Sequence, residues 1–455
     1  MQSTLVKATK IGLAVAALMV SQGASAFDVY VSGASALRDS MPRLMNRFCQ
    51  ADSASTPRVI NRVASDNDRR VFSCTFHTAA TNAAVAAELT SALTGKQVNV
   101  FHSVEPGNTL DNVVGGSITG IIPLLAGSTA VMNFANLTNS GAATIDTTFA
   151  GADLFSNATQ TPNTPQIGLS DVEPKLFTND FGNLPTDAAA QAAGWVLNGQ
   201  DPAALTNSVA FVGGFGVAVS KNLLNAGVTN ISTDQLAGVL SGDIANWNQI
   251  GGPNLPVRVC RRSPGSGTQA TFNQLVSRKG CGANIGGAQF AIADASNSQV
   301  TENATTTLVK TCLNNANDAA VEGAIGILGL ENNAVEAKHQ IIDVNGIKIW
   351  DAAEAAGNTL DGTVDNVRED KIISGQYPLV VESTVQRSAK VSLTTDQVAF
   401  YNLLANRAGD PIFTKTLPGV VSATDKRTGN VPNLTEGATN FGRSGDTCSP
   451  LGYAP

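Results

Sequence analysis

Apolar Leu255, Val257 and Val259 alternate with Pro256, Arg258 and Cys260, a period of two that predicts a short strand. Past a turn, Phe272, Leu275 and Val276 return at helical spacing, so strand, turn and helix follow one another there. Upstream, Leu236, Val239 and Leu240 form the apolar stripe of another helix. Ser232 and Gln235 make a capping box at its start, and Gly242 is placed to end it. At the N-terminus, Lys7 and Lys10 precede an apolar run from Ile11 to Val20, and Ala24-Ser25-Ala26 follows. That is the layout of a secretory signal peptide, and it predicts a mature chain from Phe27. The run is far shorter than the roughly 20 residues that span a bilayer. No Cys follows the small residues to carry a lipid, and Ile121-Ile122-Pro123-Leu124-Leu125 is too brief to span.

The turn between strand and helix reads Arg261-Arg262-Ser263-Pro264-Gly265-Ser266-Gly267-Thr268. A helix start leaves backbone N–H groups without intrahelical partners and carries the positive end of the macrodipole. An oxyanion is held there with little further help. Gly265 and Gly267 admit close backbone approach, Ser266 and Thr268 add hydroxyl donors, and Arg262 supplies a forked cation. An ordinary capped turn would use the same Ser and Thr; the Arg pair and the preceding strand set this one apart. The run lacks the Gly-Lys-Ser/Thr ending of a nucleotide P-loop and the Gly-x-Ser-x-Gly elbow of a serine hydrolase.

This segment resembles the second-lobe loop of the phosphate-binding subfamily of type II periplasmic substrate-binding proteins, in which an Arg precedes Gly-Ser-Gly-Thr at a helix start. The resemblance runs in motif order from about residue 28 to 415. Val212–Ser220 is similar to the family's crossover strand, and Leu236–Trp247 to its Leu-x-x-Ile/Val-x-x-Gly-x-Ile-x-x-Trp stretch. Gly323–Leu328 is similar to its return strand and Gly375–Leu379 to its Gly-x-Tyr-Pro-Leu turn. Gly168-Leu169-Ser170-Asp171-Val172-Glu173-Pro174 resembles the Gly-x-Ser-Asp-x-Pro loop, whose aspartate accepts a hydrogen bond from a protonated phosphate oxygen. The resemblance assigns that acceptor to Asp171; read in isolation, a Ser-Asp pair is an Asx-turn or a helix cap. Val29-Tyr30-Val31 with Ser32-Gly33-Ala34-Ser35-Ala36 resembles the first strand and its glycine turn, so Ser35 and Ala36 join the implied ligand contacts. Ala36 and Leu37 stand where the family commonly has Thr or Ser, and Pro264 where it often has an acidic residue. The other first-lobe serine turn is matched best by His102–Thr109.

The implied fold is α/β: a two-lobed periplasmic binding protein type II fold, each lobe a mixed sheet flanked by helices, with a two-strand hinge. The signal peptide occupies 1–26, lobe 1 occupies 27–210 with an insertion at about 103–166, lobe 2 occupies 211–340, and 341–455 returns to lobe 1 and forms the tail. The ligand set is Ser35, Ala36, Asp171, Arg262, Ser266, Gly267 and Thr268. The implied role is capture of inorganic phosphate or a related oxyanion by a monomer, without cofactor or catalysis, for an inner-membrane ABC importer. A surface or extracellular scaffold that kept the fold and an exported phosphohydrolase are the alternatives.

Composition agrees with a large soluble core. The chain has 455 residues, 43% hydrophobic and 14% charged, beyond the size at which one core keeps growing. Loss of Lys7 and Lys10 with the leader takes the formal net charge from −7 to −9. An acidic balance without a basic run argues against nucleic acid and anionic membranes as partners. Cys49, Cys74, Cys260, Cys281, Cys312 and Cys448 are an even set in an exported chain, which predicts disulfides over metal ligation. Proximity favours Cys49–Cys74 and leaves the other four open. With only His77, His102 and His339, scattered along the chain, a histidine metal site is not expected. The protein is placed in the periplasm or outside the cell.

Overall fold

The computed structural model describes residues 26–34, 40–63, 68–149, 151–178, 183–277, 299–332, 336–351, 366–414, 417, 419–423 and 438–453. The apolar run of the expected signal peptide, Ser35, Ala36 and Cys281 lie outside the described residues.

Strands β1 (Phe27–Gly33), β2 (Val59–Val63), β3 (Arg69–Thr75) and β4 (Gln97–Ser103) open the chain. Four short strands follow, β5 (Met132–Ala135), β6 (Thr144–Asp146), β7 (Ala152–Ala158) and β8 (Gln160–Asn163), before β9 (Ile167–Ser170). Then come β10 (Thr206–Ser220), β11 (Asn230–Ile231), β12 (Val257–Arg262), β13 (Val300–Asn303), β14 (Gly323–Gly329), β15 (His339–Val344) and β16 (Val380–Arg387). The hydrogen-bonded order is β13-β12-β14-β10-β16-β9-β1-β4-β3-β2-β7-β6. The insertion supplies its outer strands: β7 pairs parallel with β2, and β5 pairs with β8 apart from the main sheet.

One strand joins the two halves of this sheet. Thr206–Gly214 of β10 pairs antiparallel with β16, whereas Phe215–Ser220 of the same strand pairs with β14 and β15. Strand β15 straddles the 340/341 boundary drawn from the sequence and stays with the second half. The chain recrosses at Tyr377–Leu379: the Tyr377 hydroxyl donates to the Phe215 carbonyl at 2.6 Å, and Phe215 N–H donates to the Leu379 carbonyl. Both crossings therefore meet at one point on β10.

Each half has a parallel trio, β4-β1-β9 in the first and β13-β12-β14 in the second. Buried parallel strands read as unbroken apolar runs, and all seven residues of β14 are buried. In the first half the short helical turn Ser117–Gly120 lies flat on the end of β9. A Cβ at Gly168 would sit 1.8 Å from the Gly120 carbonyl oxygen, so only glycine permits this approach.

The expected helix spans Thr233–Ser241. Ser232 Oγ accepts from Gln235 N–H at 3.0 Å, Gln235 Oε1 accepts from Ser232 N–H at 3.0 Å, and Gly242 closes the helix at φ 84°. Disulfides join Cys49 to Cys74, the pair expected, and Cys260 on β12 to Cys312 on helix Thr306–Ala319. Cys448 is also disulfide-bonded. Among the described residues no helix is long and apolar enough to cross a membrane.

Candidate functional site

Strand β12 delivers Arg262 at its C-terminal end, and the chain turns through Gly265, at φ +100°, into helix Gly267–Leu275. Ser266 caps that helix, its hydroxyl accepting from Gln269 N–H at 3.4 Å. Every residue from Gly267 to Gln274 is buried, because the first half covers the helix start. Binding between strand C-termini is the general habit of open α/β sheets, and both parallel trios end here.

The opposing surface is the turn Gly115-Gly116-Ser117-Ile118 together with Asp171, which follows β9. Ile118 N–H donates to the Gly265 carbonyl at 2.9 Å, and Ser117 Oγ accepts from Asp171 N–H at 2.9 Å. A Cβ at Gly267 would stand 2.2 Å from Ser117 Oγ and 2.7 Å from Asp171 Oδ2. The structure thus gathers Asp171, Arg262, Ser266 and Gly267 at one point, with Thr268 buried on the same first helical turn. Ser117 is a residue the sequence reading missed. The resemblance matches the serine turn to His102–Thr109, but Ser103 donates to the Glu105 carbonyl at 2.8 Å, and the residues against Gly265–Gly267 come from the later Gly-Gly-Ser run. That run between Val114 and Ile118 was the available signal.

Arg262 and Asp171 are each only 5% exposed. Arg262 Nη2 donates to the Ala304 carbonyl at 2.7 Å and Nη1 to Thr306 Oγ1 at 3.3 Å, while its backbone N–H donates to Gln269 Oε1 at 3.2 Å. Among the described residues, its Nε and Asp171 Oδ1 are buried without a hydrogen-bond partner. Buried polar groups are almost always paired, and here two such atoms stand on opposed charges where the strand ends meet. Asp171 therefore caps no helix through Oδ1. Burial raises the Asp171 carboxyl to about 6, against the pull of Arg262 and a hydrogen bond with Ser117. Burial holds the Arg262 guanidinium down to about 10, opposed by Asp171, Glu105 and Glu331. At neutral pH both groups are charged. A cavity of about 110 Å³ adjoins Arg262, lined by Glu105, Gly115, Gly116, Thr306 and Glu331 among others.

The chain's tail steadies the Asp171 loop. Glu173, 3% exposed, accepts from the Thr447 backbone N–H at 2.7 Å and from the Thr447 hydroxyl. Arg443 N–H donates to Glu382 Oε1 at 3.0 Å, fastening the same tail to β16 beside the recrossing. Among the described residues no three His, Cys, Asp or Glu side chains are grouped to hold a metal.

Two α/β halves sharing a strand, with buried opposite charges where their strand ends meet, define a cleft-forming binding fold. The profile of the PBP superfamily domain matches residues 77–386, more than half of the chain, and the chain belongs to that superfamily. It is 36% identical over 52 residues to "Phosphate-binding protein PstS" of Borreliella burgdorferi, covering 11% of this chain and 19% of that one. It is 38% identical over 74 residues to the Bacillus subtilis protein of the same name, covering 16% and 24%. The chain thus spans about a fifth to a quarter of the length of these curated relatives. Among solved structures, a putative phosphate ABC transporter substrate-binding protein with bound phosphate from Clostridium perfringens aligns at 13% identity and TM-score 0.41, covering 86% of this chain and 99% of that one. An ABC-type phosphate transport receptor from Vibrio cholerae aligns at 14% identity and TM-score 0.38, covering 84% and 94%.

Proposed function

We propose that this chain is an exported, monomeric solute-binding protein that holds inorganic phosphate, or a related oxyanion, between its two halves for delivery to an inner-membrane ABC importer. The observation that carries the reading is the pair of buried, hydrogen-bond-deficient charges, Asp171 Oδ1 and Arg262 Nε, at the meeting of the strand ends. In this reading Arg262 supplies charge; Ser266, Gly267 and Thr268 supply donors at the helix start; and Ser35, Ala36 and Ser117 close the first-half side. Asp171 accepts from a ligand oxygen that still carries a proton. Residues 27–210 and the returning chain make one lobe and the second half of β10 through β15 the other. Ligand contacts on both sides favour the closed arrangement by their differential binding energy. The names of the curated relatives support phosphate as the anion.

Calorimetric titration of the anion-stripped mature protein with phosphate and with sulfate tests this. Heat with phosphate and little with sulfate is expected at neutral pH; heat with neither would move the protein to a scaffold role. Gly267→Ala is expected to weaken phosphate about ten- to a hundredfold in the same titration, because its methyl group must displace Ser117 or Asp171 before the halves meet. Unchanged affinity in that variant would mean that this contact is absent from the bound state.

A further inference from the structure

Four buried hydrogen bonds run in series from the loop that carries Asp171 to the backbone of Arg262. Asn183 Nδ2 donates to the Leu176 carbonyl at 2.8 Å; Asn273 Nδ2 donates to Asn183 Oδ1 at 2.7 Å. Gln269 Nε2 donates to Asn273 Oδ1 at 3.1 Å, and Gln269 Oε1 accepts from Arg262 N–H at 3.2 Å. Asn183, Gln269 and Asn273 are 1%, 6% and 3% exposed. Asn183 belongs to the first half, between β9 and β10, while Gln269 and Asn273 lie on successive turns of helix Gly267–Leu275 in the second. Each side-chain amide uses its oxygen and its nitrogen within this chain of bonds, so the orientation of each is fixed by its neighbours.

The Asn273–Asn183 bond is the only one of the four that crosses between halves. When the halves part, its donor and acceptor pass to water at little net cost. When they meet, a missing partner leaves the other amide buried and unpaired, which is costly. We infer that Asn183, Gln269 and Asn273 are positioning residues that latch the closed cleft and set the Asp171 loop against the Arg262 turn, without touching ligand. The inference rests on the phosphate-binding reading above. It assigns these amides to retention of the ligand, and so to its dissociation rate.

The test follows release of radiolabelled phosphate by rapid filtration in the native protein, Asn183→Leu, Asn273→Leu, the double variant and the near-isosteric Asn273→Asp. The last keeps the acceptor for Gln269 but has no donor for Asn183. Melting temperatures are measured with and without phosphate. Each single variant is expected to release phosphate about tenfold to a hundredfold faster. The phosphate-loaded melting temperature should fall further than the ligand-free one, which loses only the bond each amide makes within its own half, and the double variant should release no faster than the worse single one. Equal falls in loaded and ligand-free melting temperature would overturn the latch, since a merely structural bond stabilises both states alike. Native-like release from every variant, with the native protein binding phosphate, would overturn the latch alone; no binding by the native protein would sink the functional reading and the latch with it.

Discussion

Arg262→Ala is expected to lower phosphate affinity about a thousandfold, read as loss of heat in calorimetric titration. Two effects act in the same direction. The cation that faces the cleft disappears, and Asp171 is left as an uncompensated buried carboxylate, a change that typically costs about 3–5 kcal/mol. The Asp171 carboxyl already stands well above its ordinary value through burial, and Arg262 is what pulls it back, so in the variant it rises further. Arg262→Lys should recover only a small part. A point charge on a flexible stem cannot reproduce the fork that reaches both the Ala304 carbonyl and Thr306 Oγ1. Because Arg262 also ties β12 to the start of helix Thr306–Ala319, the ligand-free melting temperature of both variants is the necessary control. A fall in affinity that merely tracks a fall in stability would count against a ligand-facing role, and near-native affinity in Arg262→Ala would remove Arg262 from the site.

What the sequence disclosed about this site was local. The alternation through Val257 and Val259, the helix after Gly267 and the Ser232–Gln235 cap each depend on neighbours a few residues apart, and all three stand in the structure. Asp171 and Arg262 could be paired beforehand only through resemblance, because 90 residues of intervening chain carry no periodic signal of their proximity. Ser117 escaped for a related reason: the chain between the end of β4 at Ser103 and the Gly115-Gly116-Ser117 turn carries no period that points to Gly265–Gly267. The pairing of Cys260 with Cys312 spans 52 residues and depends on helix Thr306–Ala319 packing against β12, which spacing alone does not specify. The support of the Asp171 loop by Thr447 spans 274 residues, and the amide series joins uncharged side chains that in sequence look like ordinary surface Asn and Gln. Polar partners that meet only in the folded chain leave little trace in hydrophobic periodicity.

Acidification is expected to change which anion the cleft accepts. With Asp171 raised to about 6, its carboxyl is ionised at pH 8 and acts only as an acceptor. Phosphate brings a proton to meet it. Sulfate brings none, and the facing charges cost several kcal/mol, a discrimination of about a thousandfold. Once Asp171 takes up a proton it becomes a donor, so sulfate binding is linked to one proton. Sulfate affinity should therefore rise about tenfold per unit as pH falls from 8 toward 6, then level off below that. Asp171→Asn is expected to flatten this profile and admit sulfate at every pH, because an amide donates without titrating. The same shift has a consequence for the stability of the closed fold. Its carboxyl is raised above the unfolded value of 3.8, so the folded state holds the proton more tightly, and this group's contribution to stability falls as pH rises from about 4 to 6. Burial also raises Glu173, which adds to that slope, so Asp171→Asn should shrink the pH dependence of the melting temperature without abolishing it. Sulfate affinity that stays flat from pH 8 to 5 in the native protein would take Asp171 out of the selectivity mechanism, whatever its part in holding the turn at Ser117.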